Sequence, residues 1–209
     1  MILEKVVVGP LQCNCYILGC EETSEALLID PGDDADRILP VLEKHQLTVK
    51  YILSTHAHID HVGDLSRMKD QTGATTLLHE KDLTLYRNLA VQAAWLGVPT
   101  PEMTGIDTFV ADRDILRFGR QSGEILFTPG HTPGSLCLHL PQQTGLLFSG
   151  DTLFQGSIGR TDLWGGSMPD ILKSLRGQLL RLEDQTVVYP GHGPTTTIGT
   201  ERQMNPFLR

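Results

Sequence analysis

The stretch Thr55-His56-Ala57-His58-Ile59-Asp60-His61 places four metal-compatible side chains within seven residues. In extended backbone, side chains two residues apart point to the same side, so His56 and His58 can face one point. A helical pattern begins directly after this stretch, so Asp60 and His61 can serve a second point beside the first. Imidazole and carboxylate ligands suit zinc, iron(II) and manganese. Because a chance H-x-H-x-D-H is expected on the order of once in a thousand chains, the stretch predicts a metal site.

Three later segments share one layout, in which an apolar run ends and a metal-compatible side chain follows within a few residues. The runs cover residues 125–127, 146–148 and 187–189, and the side chains after them are His131, Asp151 and His192. Turns at strand ends, held by a rigid sheet, are a usual place for a site. The sequence therefore predicts two neighbouring metals, with His56, His58 and His131 as ligands of one, Asp60, His61 and His192 as ligands of the other, and Asp151 as a bridge.

Short strands alternate with amphipathic helices along the rest of the chain, which predicts one layered α/β domain over residues 1–209. Asp33 or Asp34 is expected to cap the first helix, and the tail from Gly199 is expected to be helical. Residues 80–105 predict one or two helices and a loop that forms a lid or one wall of a pocket. The predicted strands cover residues 3–8, 15–18, 26–29, 51–53, 75–78, 115–118, 124–128, 135–140, 145–149 and 186–189.

Composition limits the classes of partner. The chain has 209 residues and a formal net charge of −8, without a stretch rich in Lys or Arg, so a nucleic-acid backbone would be repelled. No apolar stretch approaches the length of a bilayer span, and the N-terminus does not resemble a signal peptide. We expect a cytoplasmic protein that acts on a small molecule and binds neither nucleic acid nor membrane. The cysteines are expected to be free thiols, buried or half-buried; they are Cys13, Cys15, Cys20 and Cys137.

The order of the motifs resembles that of the metallo-β-lactamase superfamily, and the resemblance covers nearly the whole chain. It implies an α/β fold, a four-layer αββα sandwich, with metals at one edge of the two sheets. The matching motifs are L-I-D-P-G at 28–32, T-H-x-H-x-D-H at 55–61, P-G-H-T-P-G at 129–134, S-G-D at 149–151 and P-G-H-G-P at 190–194.

Within that superfamily, the chain is most similar to glyoxalase II (hydroxyacylglutathione hydrolase) and its small bacterial relatives. His61 distinguishes it from lactamases with Arg there, Asp151 from those with Cys, and His58 from flavodiiron proteins with Glu. The run Gly159-Arg160-Thr161-Asp162 and the closing residues 205–208 also resemble the small glyoxalase II-like hydrolases. Full glyoxalase II enzymes have an extra C-terminal helical region with glutathione contacts, whereas this sequence stops soon after Phe207, which leaves the thioester open.

The resemblance implies an enzyme, a binuclear hydrolase of a thioester such as S-lactoylglutathione. Two divalent ions, with zinc expected and iron or manganese as alternatives, would hold a bridging hydroxide that attacks the carbonyl. Asp60 is expected to orient this hydroxide as well as bind metal. Asp30 is a candidate for holding a ligand histidine in the right tautomer. Arg160 is a candidate for binding a substrate carboxylate, although an ion pair with Asp162 is an equal alternative.

Three other functions remain open on the sequence alone. A persulfide dioxygenase of the same fold would hold one iron with His56, His131 and Asp151, but here the second ligand set is also present, which favours hydrolysis. A lactonase acting on acyl homoserine lactones would use the same seven ligands. A non-catalytic metal-binding module would bind metal tightly and turn over no ester, thioester or lactone.

Overall fold

The computed structural model describes residues 1–142 and 145–209, which form two compact units. The first unit comprises Met1–Val110 and Arg117–Ser122, and the second comprises Ala111–Leu116 and Gly123–Arg209. The assignment of residues 1–209 to a single domain stays a prediction. Across the described residues, every helix is too short or too polar to reach through a lipid bilayer.

The first sheet has six strands in the order β1-β2-β3-β4-β5-β6. β1, β2 and β3 are antiparallel neighbours, whereas β3, β4, β5 and β6 run parallel, so these last four strands end at one edge. Polar segments that follow β3, β4 and β5 are thereby brought together. The strands are β1 Ile2–Val8, β2 Cys13–Gly19, β3 Glu25–Ile29, β4 Thr48–Leu53, β5 Thr75–Leu78 and β6 Thr108–Phe109.

Five α-helices belong to the first unit, and their apolar faces join its core together with the strands. Ile38 and Leu42 of the first helix, Val62 of the second and Leu65 of the third are buried in this one cluster. Burial of such side chains contributes about 1.5–3 kcal/mol each, so the cluster holds the metal-compatible stretch in place. The helices are α1 Ala35–Lys44, α2 Ile59–Val62, α3 Leu65–Thr72, α4 Leu83–Arg87 and α5 Leu89–Leu96.

The start of α1 has the expected N-cap residue, but another carboxylate makes the hydrogen bond to the first helical amide. Asp34 is the residue before the helix, with a positive φ of 53°, but its side chain makes no capping bond to the helix. Its carboxylate instead accepts a hydrogen bond from the Gly9 amide at 3.0 Å. Asp34 thus occupies the N-cap position, as expected, but the Ala35 amide donates to Asp64 at 2.7 Å and not to the Asp34 side chain. A carboxylate remote in sequence satisfies the helix start instead.

The second sheet also has six strands, in the order β14-β13-β10-β9-β8-β7. β10 and β13 are parallel, so the segments after them emerge side by side, and β9 is antiparallel to both β8 and β10. A separate two-stranded hairpin joins β11 to β12. The strands are β7 Ile115–Phe118, β8 Gln121–Phe127, β9 Leu136–Leu140, β10 Leu146–Gly150, β11 Leu153–Phe154, β12 Ser157–Ile158, β13 Val187–Pro190 and β14 Thr196–Thr197.

Two helices, α6 Met168–Gly177 and α7 Ile198–Met204, pack in the second unit. Each begins with a side-chain cap, since Ser167 and Thr197 accept hydrogen bonds from backbone amides three residues later. Ile171 and Leu175 of α6 and Ile198 of α7 are buried in one apolar cluster with the strands. The helical tail predicted from residue 199 is confirmed, beginning one residue earlier.

All ten predicted strands are present, with ends within a few residues of those expected, so the mixed α/β class is confirmed. Residues 80–105 contain a short 3-10 turn, α4 and α5, which confirms the expectation of one or two helices. The structure adds four strands of two residues each, β6, β11, β12 and β14. These strands are too short for an alternating pattern, so periodicity does not reveal them.

Candidate metal centre

The metal-compatible stretch of the first unit follows β4 at the edge where the parallel strands end. His56 and His61 are buried, with exposed fractions of 1% and 0%. The His56 and His58 ring centroids lie 4.8 Å apart, and those of His56 and His61 lie 4.0 Å apart. Asp60 Oδ2 is 3.7 Å from His61 Nε2. The three imidazoles of this stretch therefore lie together, with the Asp60 carboxylate beside His61.

The buried carboxylate of Asp30 orients the imidazoles of this group through hydrogen bonds. It accepts hydrogen bonds from the Thr55 amide at 2.7 Å and the Thr55 hydroxyl at 2.7 Å. Asp30 Oδ2 also lies 2.9 Å from His61 Nδ1, and Thr55 Oγ1 lies 3.1 Å from His56 Nδ1. Donation from both Nδ1 atoms makes Nε2 of His56 and His61 the nitrogens that carry the metal-binding lone pair.

The left-handed backbone of Asp30 fits this role. Its φ is +52°, a conformation that residues other than glycine adopt rarely, and the side chain is 1% exposed. Such strain persists where the surrounding contacts hold the residue firmly. The hydrogen bonds from Thr55 and His61 are contacts of that kind. Asp30 therefore lies where the sequence analysis expected it, and its role in binding stays a prediction.

A buried thiol packs against the same histidine ring. Cys13 Sγ lies 3.5 Å from His61 Nδ1. Burial raises the pKa of the Cys13 thiol to about 12, so it stays protonated near neutral pH. All four cysteines are buried and free, which confirms the expectation for these residues.

Two side chains from the segment 80–105, which contains none of the predicted ligands, bind the backbone between His56 and Asp60. Asp82 accepts a hydrogen bond from the Ala57 amide at 3.0 Å. Gln92 accepts one from the Ile59 amide at 2.9 Å and donates to the Ala57 carbonyl at 3.1 Å. Sequence reasoning missed both. One signal was present, since Gln92 is the only polar residue in the α5 sequence LAVQAAWL.

The turn after β3 packs its backbone against the backbone of the same stretch, and glycines make this close approach possible. A Cβ on Gly32 would lie 1.5 Å from the Asp60 carbonyl oxygen. A Cβ on Gly63 would lie 2.3 Å from the Gly32 carbonyl oxygen. Because these neighbours are backbone atoms, a rotamer change cannot relieve the clash. The Pro31-Gly32 turn therefore packs directly against the Asp60 backbone and constrains its position at the sheet edge.

We expect Gly32→Ala to lower the free energy of unfolding by about 2–3 kcal/mol, because Asp60 and its turn must move to admit the methyl group. Chemical denaturation measures this change. Gly105→Ala is the matched control, since among the described residues no atom beyond Gly105 and its two chain neighbours lies within 4 Å of the place its methyl group would occupy. Equal stabilities of the two variants would contradict the close approach.

In the second unit, Asp151 lies between two histidines. Asp151 Oδ2 is 3.6 Å from His131 Nε2 and 3.7 Å from His192 Nε2. The parallel pairing of β10 and β13 accounts for this, because the Gly191 amide donates to the Gly150 carbonyl at 2.8 Å where the two strands end. The three predicted ligands of this unit are thus close together.

The backbone of Arg160, rather than its side chain, contacts a predicted ligand. His131 Nδ1 lies 2.8 Å from the Arg160 carbonyl oxygen, so His131 also directs Nε2 toward Asp151. The guanidinium of Arg160 makes two hydrogen bonds of 2.8 Å to Asp162, which lower the pKa of Asp162 to about 2. The ion pair considered for Arg160 is therefore present, and carboxylate binding by this residue stays a prediction.

The loop that carries Arg160 is anchored by the closing residues of the chain. Buried Glu201 accepts a hydrogen bond from the Gly156 amide at 2.8 Å, and the Asn205 side chain donates to the Ser157 carbonyl at 3.0 Å. A Cβ on Gly159 would lie 1.9 Å from the Asp151 carbonyl oxygen. The C-terminal motif thus positions the loop beside Asp151.

The donor sets of the two units fit divalent metals. Each unit presents imidazole Nε2 atoms together with a carboxylate, and hydrogen-bond acceptors at Nδ1 fix the orientation of His56, His61 and His131. This pattern of oriented imidazoles is typical of metal ligands. The described residues include groups of His, Cys and Asp that could hold a metal ion. The assignment of seven individual ligands stays a prediction.

Comparison with known proteins agrees with this chemistry. The sequence model of the metallo-beta-lactamase superfamily matches residues 8–192. A hydroxyacylglutathione hydrolase, GloC, from Haemophilus influenzae is 39% identical over 215 residues, covering 100% of this chain and 98% of the relative.

Two solved structures are similar over almost their whole lengths. The BLEG-1 B3 metallo-beta-lactamase has a TM-score of 0.92 and 38% identity, covering 99% of each chain. TTHA1623 in a di-iron-bound form has a TM-score of 0.88 and 38% identity, covering 98% of this chain and 100% of that chain. The predicted fold type is confirmed. Since the family model spans most of the sequence, the chain belongs to the metallo-beta-lactamase superfamily.

Proposed function

We propose that this chain is a binuclear metallohydrolase of thioesters such as S-lactoylglutathione. The observation that carries the proposal is the shared orientation of imidazoles in both units, where acceptors at Nδ1 turn Nε2 toward a carboxylate. The proposed ligands of two divalent ions are His56, His58, Asp60, His61, His131, Asp151 and His192.

Bound divalent ions supply Lewis acidity toward a carbonyl oxygen and lower the pKa of water enough to give a nucleophile near neutral pH. The residues of the chain contribute orientation. Asp60, with its side chain 18% exposed, accepts a hydrogen bond from the attacking water and aims it at the carbonyl carbon. Asp30 keeps His61 and, through Thr55, His56 in one tautomer. A thiolate leaves readily, so no strong general acid is required.

The name of the Haemophilus influenzae relative supports a glutathione thioester as substrate. In this proposal Arg160 exchanges Asp162 for a carboxylate of the thiol portion. Its side chain is 56% exposed, which makes the exchange accessible from solvent, and a planar guanidinium suits a carboxylate. Both partners of Arg160 are carboxylates, so the exchange conserves its hydrogen-bond pattern.

We further propose that zinc is the resident metal, with iron or manganese as alternatives. Histidine and carboxylate ligands accept all three, so availability decides much of the occupancy. The di-iron form of TTHA1623 supports iron as the main alternative. The substrate is proposed to be a small molecule in the cytoplasm, without nucleic-acid or membrane partners, in keeping with the net charge of −8.

The test combines metal analysis with a substrate panel. Protein purified without added metal is analysed for its elements, and is then assayed before and after chelation and metal return. The panel contains S-lactoylglutathione, an acyl homoserine lactone, a β-lactam and, with oxygen uptake as readout, glutathione persulfide. We expect thioester hydrolysis that chelator abolishes and that His56→Ala lacks.

Three results would contradict the proposal. Thioester turnover that survives complete metal removal would exclude the metal mechanism. Oxygen uptake with persulfide, faster than hydrolysis of every thioester, would favour a mononuclear iron dioxygenase instead. Tight metal binding without turnover of any panel member would indicate a non-catalytic module.

A further inference from the structure

A cavity of about 530 Å³ lies within the first unit and reaches Asp60. Its walls come from the turn after β1, from the glycine turn after β3, from α2 and α3, and from the segment 96–102, which begins at the last residue of α5. Cavities of about 300–1,000 Å³ are typical of small-molecule sites. Residues 80–105 are expected from the sequence to form a lid or one wall of a pocket, and the segment 96–102 forms one wall of this cavity.

One side of this cavity is apolar and open to solvent. Leu11 and Leu96 line it with exposed fractions of 47% and 38%. Val98, Pro99 and Pro101 line it as well. Covering such side chains with an apolar group is favourable by about 25 cal/mol for each Å² of apolar surface removed from water. The wall thus favours an apolar ligand.

The remaining polar lining carries negative charge. Besides Asp60, the cavity is lined by Asp33, Asp64, Asp70 and Glu102. Arg67 is the one basic residue among the described lining residues, and its guanidinium is bonded to the carboxylate of Asp36 on α1. Because that pairing offsets the positive charge of Arg67, the electrostatic potential inside the cavity is negative and repels a carboxylate.

We propose that this cavity binds the acyl chain of the substrate, and that it selects apolar chains against chains ending in a carboxylate. The inference rests on the proposed thioester hydrolysis, in which water adds to the acyl carbon next to Asp60 and the C–S bond breaks, giving a carboxylic acid and a thiol. An acyl chain attached to that carbon can enter the cavity. The thiol portion, including the carboxylates of glutathione, lies outside it.

Matched ligands that differ only at the far end of the chain test this selection. The binding probes are the N-propyl amides of hexanoic acid and of adipic acid, the latter with a free terminal carboxylate, titrated calorimetrically into the protein as purified. Amides resist hydrolysis, so the measurement does not depend on turnover. We expect the hexanoyl amide to bind at least about tenfold more tightly, with the gap shrinking at high salt.

A charge-removing variant locates the effect. Asp70 and Glu102 are exposed lining residues, so Asp70→Asn with Glu102→Gln preserves shape while removing two charges. We expect this double variant to bind the adipoyl amide several-fold, about threefold to tenfold, more tightly. Glu43→Gln is the control, because Glu43 is an exposed α1 residue outside the cavity lining.

The same pair of acyl groups on the uncharged thiol N-acetylcysteamine gives the kinetic readout, as the ratio of kcat/KM values. Equal binding of the two amides, or an unchanged ratio in the double variant, would overturn the acyl-selection proposal. Selective amide binding without hydrolysis of any thioester would support the cavity assignment and contradict the proposed function. Failure of one proposal is therefore distinguishable from failure of the other.

Discussion

Asp151→Ala is expected to lower thioester turnover by about a thousandfold or more and to leave at most about one bound metal ion for each chain. Asp151 Oδ2 lies 3.6 Å from His131 Nε2 and 3.7 Å from His192 Nε2. The Asp151 carboxylate is therefore the one charged group among the three proposed ligands of the second unit. Removing it leaves two neutral ligands, which hold a divalent ion poorly.

Two comparison variants separate metal loss from unfolding. Asp151→Asn retains one acceptor oxygen and the side-chain volume but removes the charge, so we expect an intermediate metal content and turnover. Asp170→Ala removes an exposed carboxylate in the first turn of α6 and is expected to change neither quantity. Elemental analysis of folded protein measures the occupancy, and thermal unfolding checks the fold. Full metal content and full turnover in Asp151→Ala would remove Asp151 from the proposed ligand set.

The sequence predicts this region well because its signals are local. β10 and β13 each contain three consecutive apolar residues, and a Gly or Pro turn delivers the functional side chain directly afterwards. β4 also ends in three apolar residues, although Ser54 and Thr55 rather than a Gly or Pro lead from it to His56. A residue that follows a predicted strand end is placed by short-range geometry, so its approximate location requires no knowledge of the remaining fold.

The parts that sequence reasoning missed depend on contacts between remote segments. Asp82 and Gln92 reach backbone atoms of Ala57 and Ile59 from 25 to 35 residues away. Asp64 satisfies the start of α1 from 29 residues away. No periodicity encodes these hydrogen bonds, because they exist only after the strands have set the helices beside one another.

Arg160 illustrates a different limit. An Arg and an Asp two residues apart in a loop predict either an internal ion pair or a site for an external anion, and the spacing does not choose between them. The structure shows the internal pair at 2.8 Å. It also shows what the sequence did not suggest, that the backbone carbonyl of Arg160 fixes His131. Main-chain roles of this kind leave no trace in side-chain identity.

Asp30→Ala is expected to lower the free energy of unfolding by about 4 kcal/mol, because it leaves two buried donors without an acceptor at about 1–3 kcal/mol each, while the third donor, the Thr55 hydroxyl, can rotate toward His56 Nδ1. The first two donors are the Thr55 amide and His61 Nδ1, which lie 2.7 Å and 2.9 Å from the Asp30 carboxylate. Chemical denaturation of metal-free protein measures the change without a contribution from bound ions. A loss below about 1 kcal/mol would mean that other groups satisfy these donors.

Asp30→Asn separates the effect of Asp30 on the His61 tautomer from its effect on stability. The amide oxygen can still accept from the Thr55 backbone, but an amide nitrogen now replaces Oδ2 and donates toward His61 Nδ1. His61 must then carry its proton on Nε2, the nitrogen proposed to bind metal. We expect metal affinity to fall by about 10–100-fold, measured by competition with a chromophoric chelator.

Two further variants decide between tautomer control and a general weakening of the unit. Thr55→Val keeps the contact between Asp30 and His61 but removes the hydroxyl that links Asp30 to His56, so we expect a smaller loss of affinity. Asp64→Asn weakens the start of α1 and is expected to lower stability while preserving metal affinity. If Asp30→Asn and Asp64→Asn lost metal affinity in proportion to their stability losses, the tautomer argument would fail, and Asp30 would act only as a structural residue.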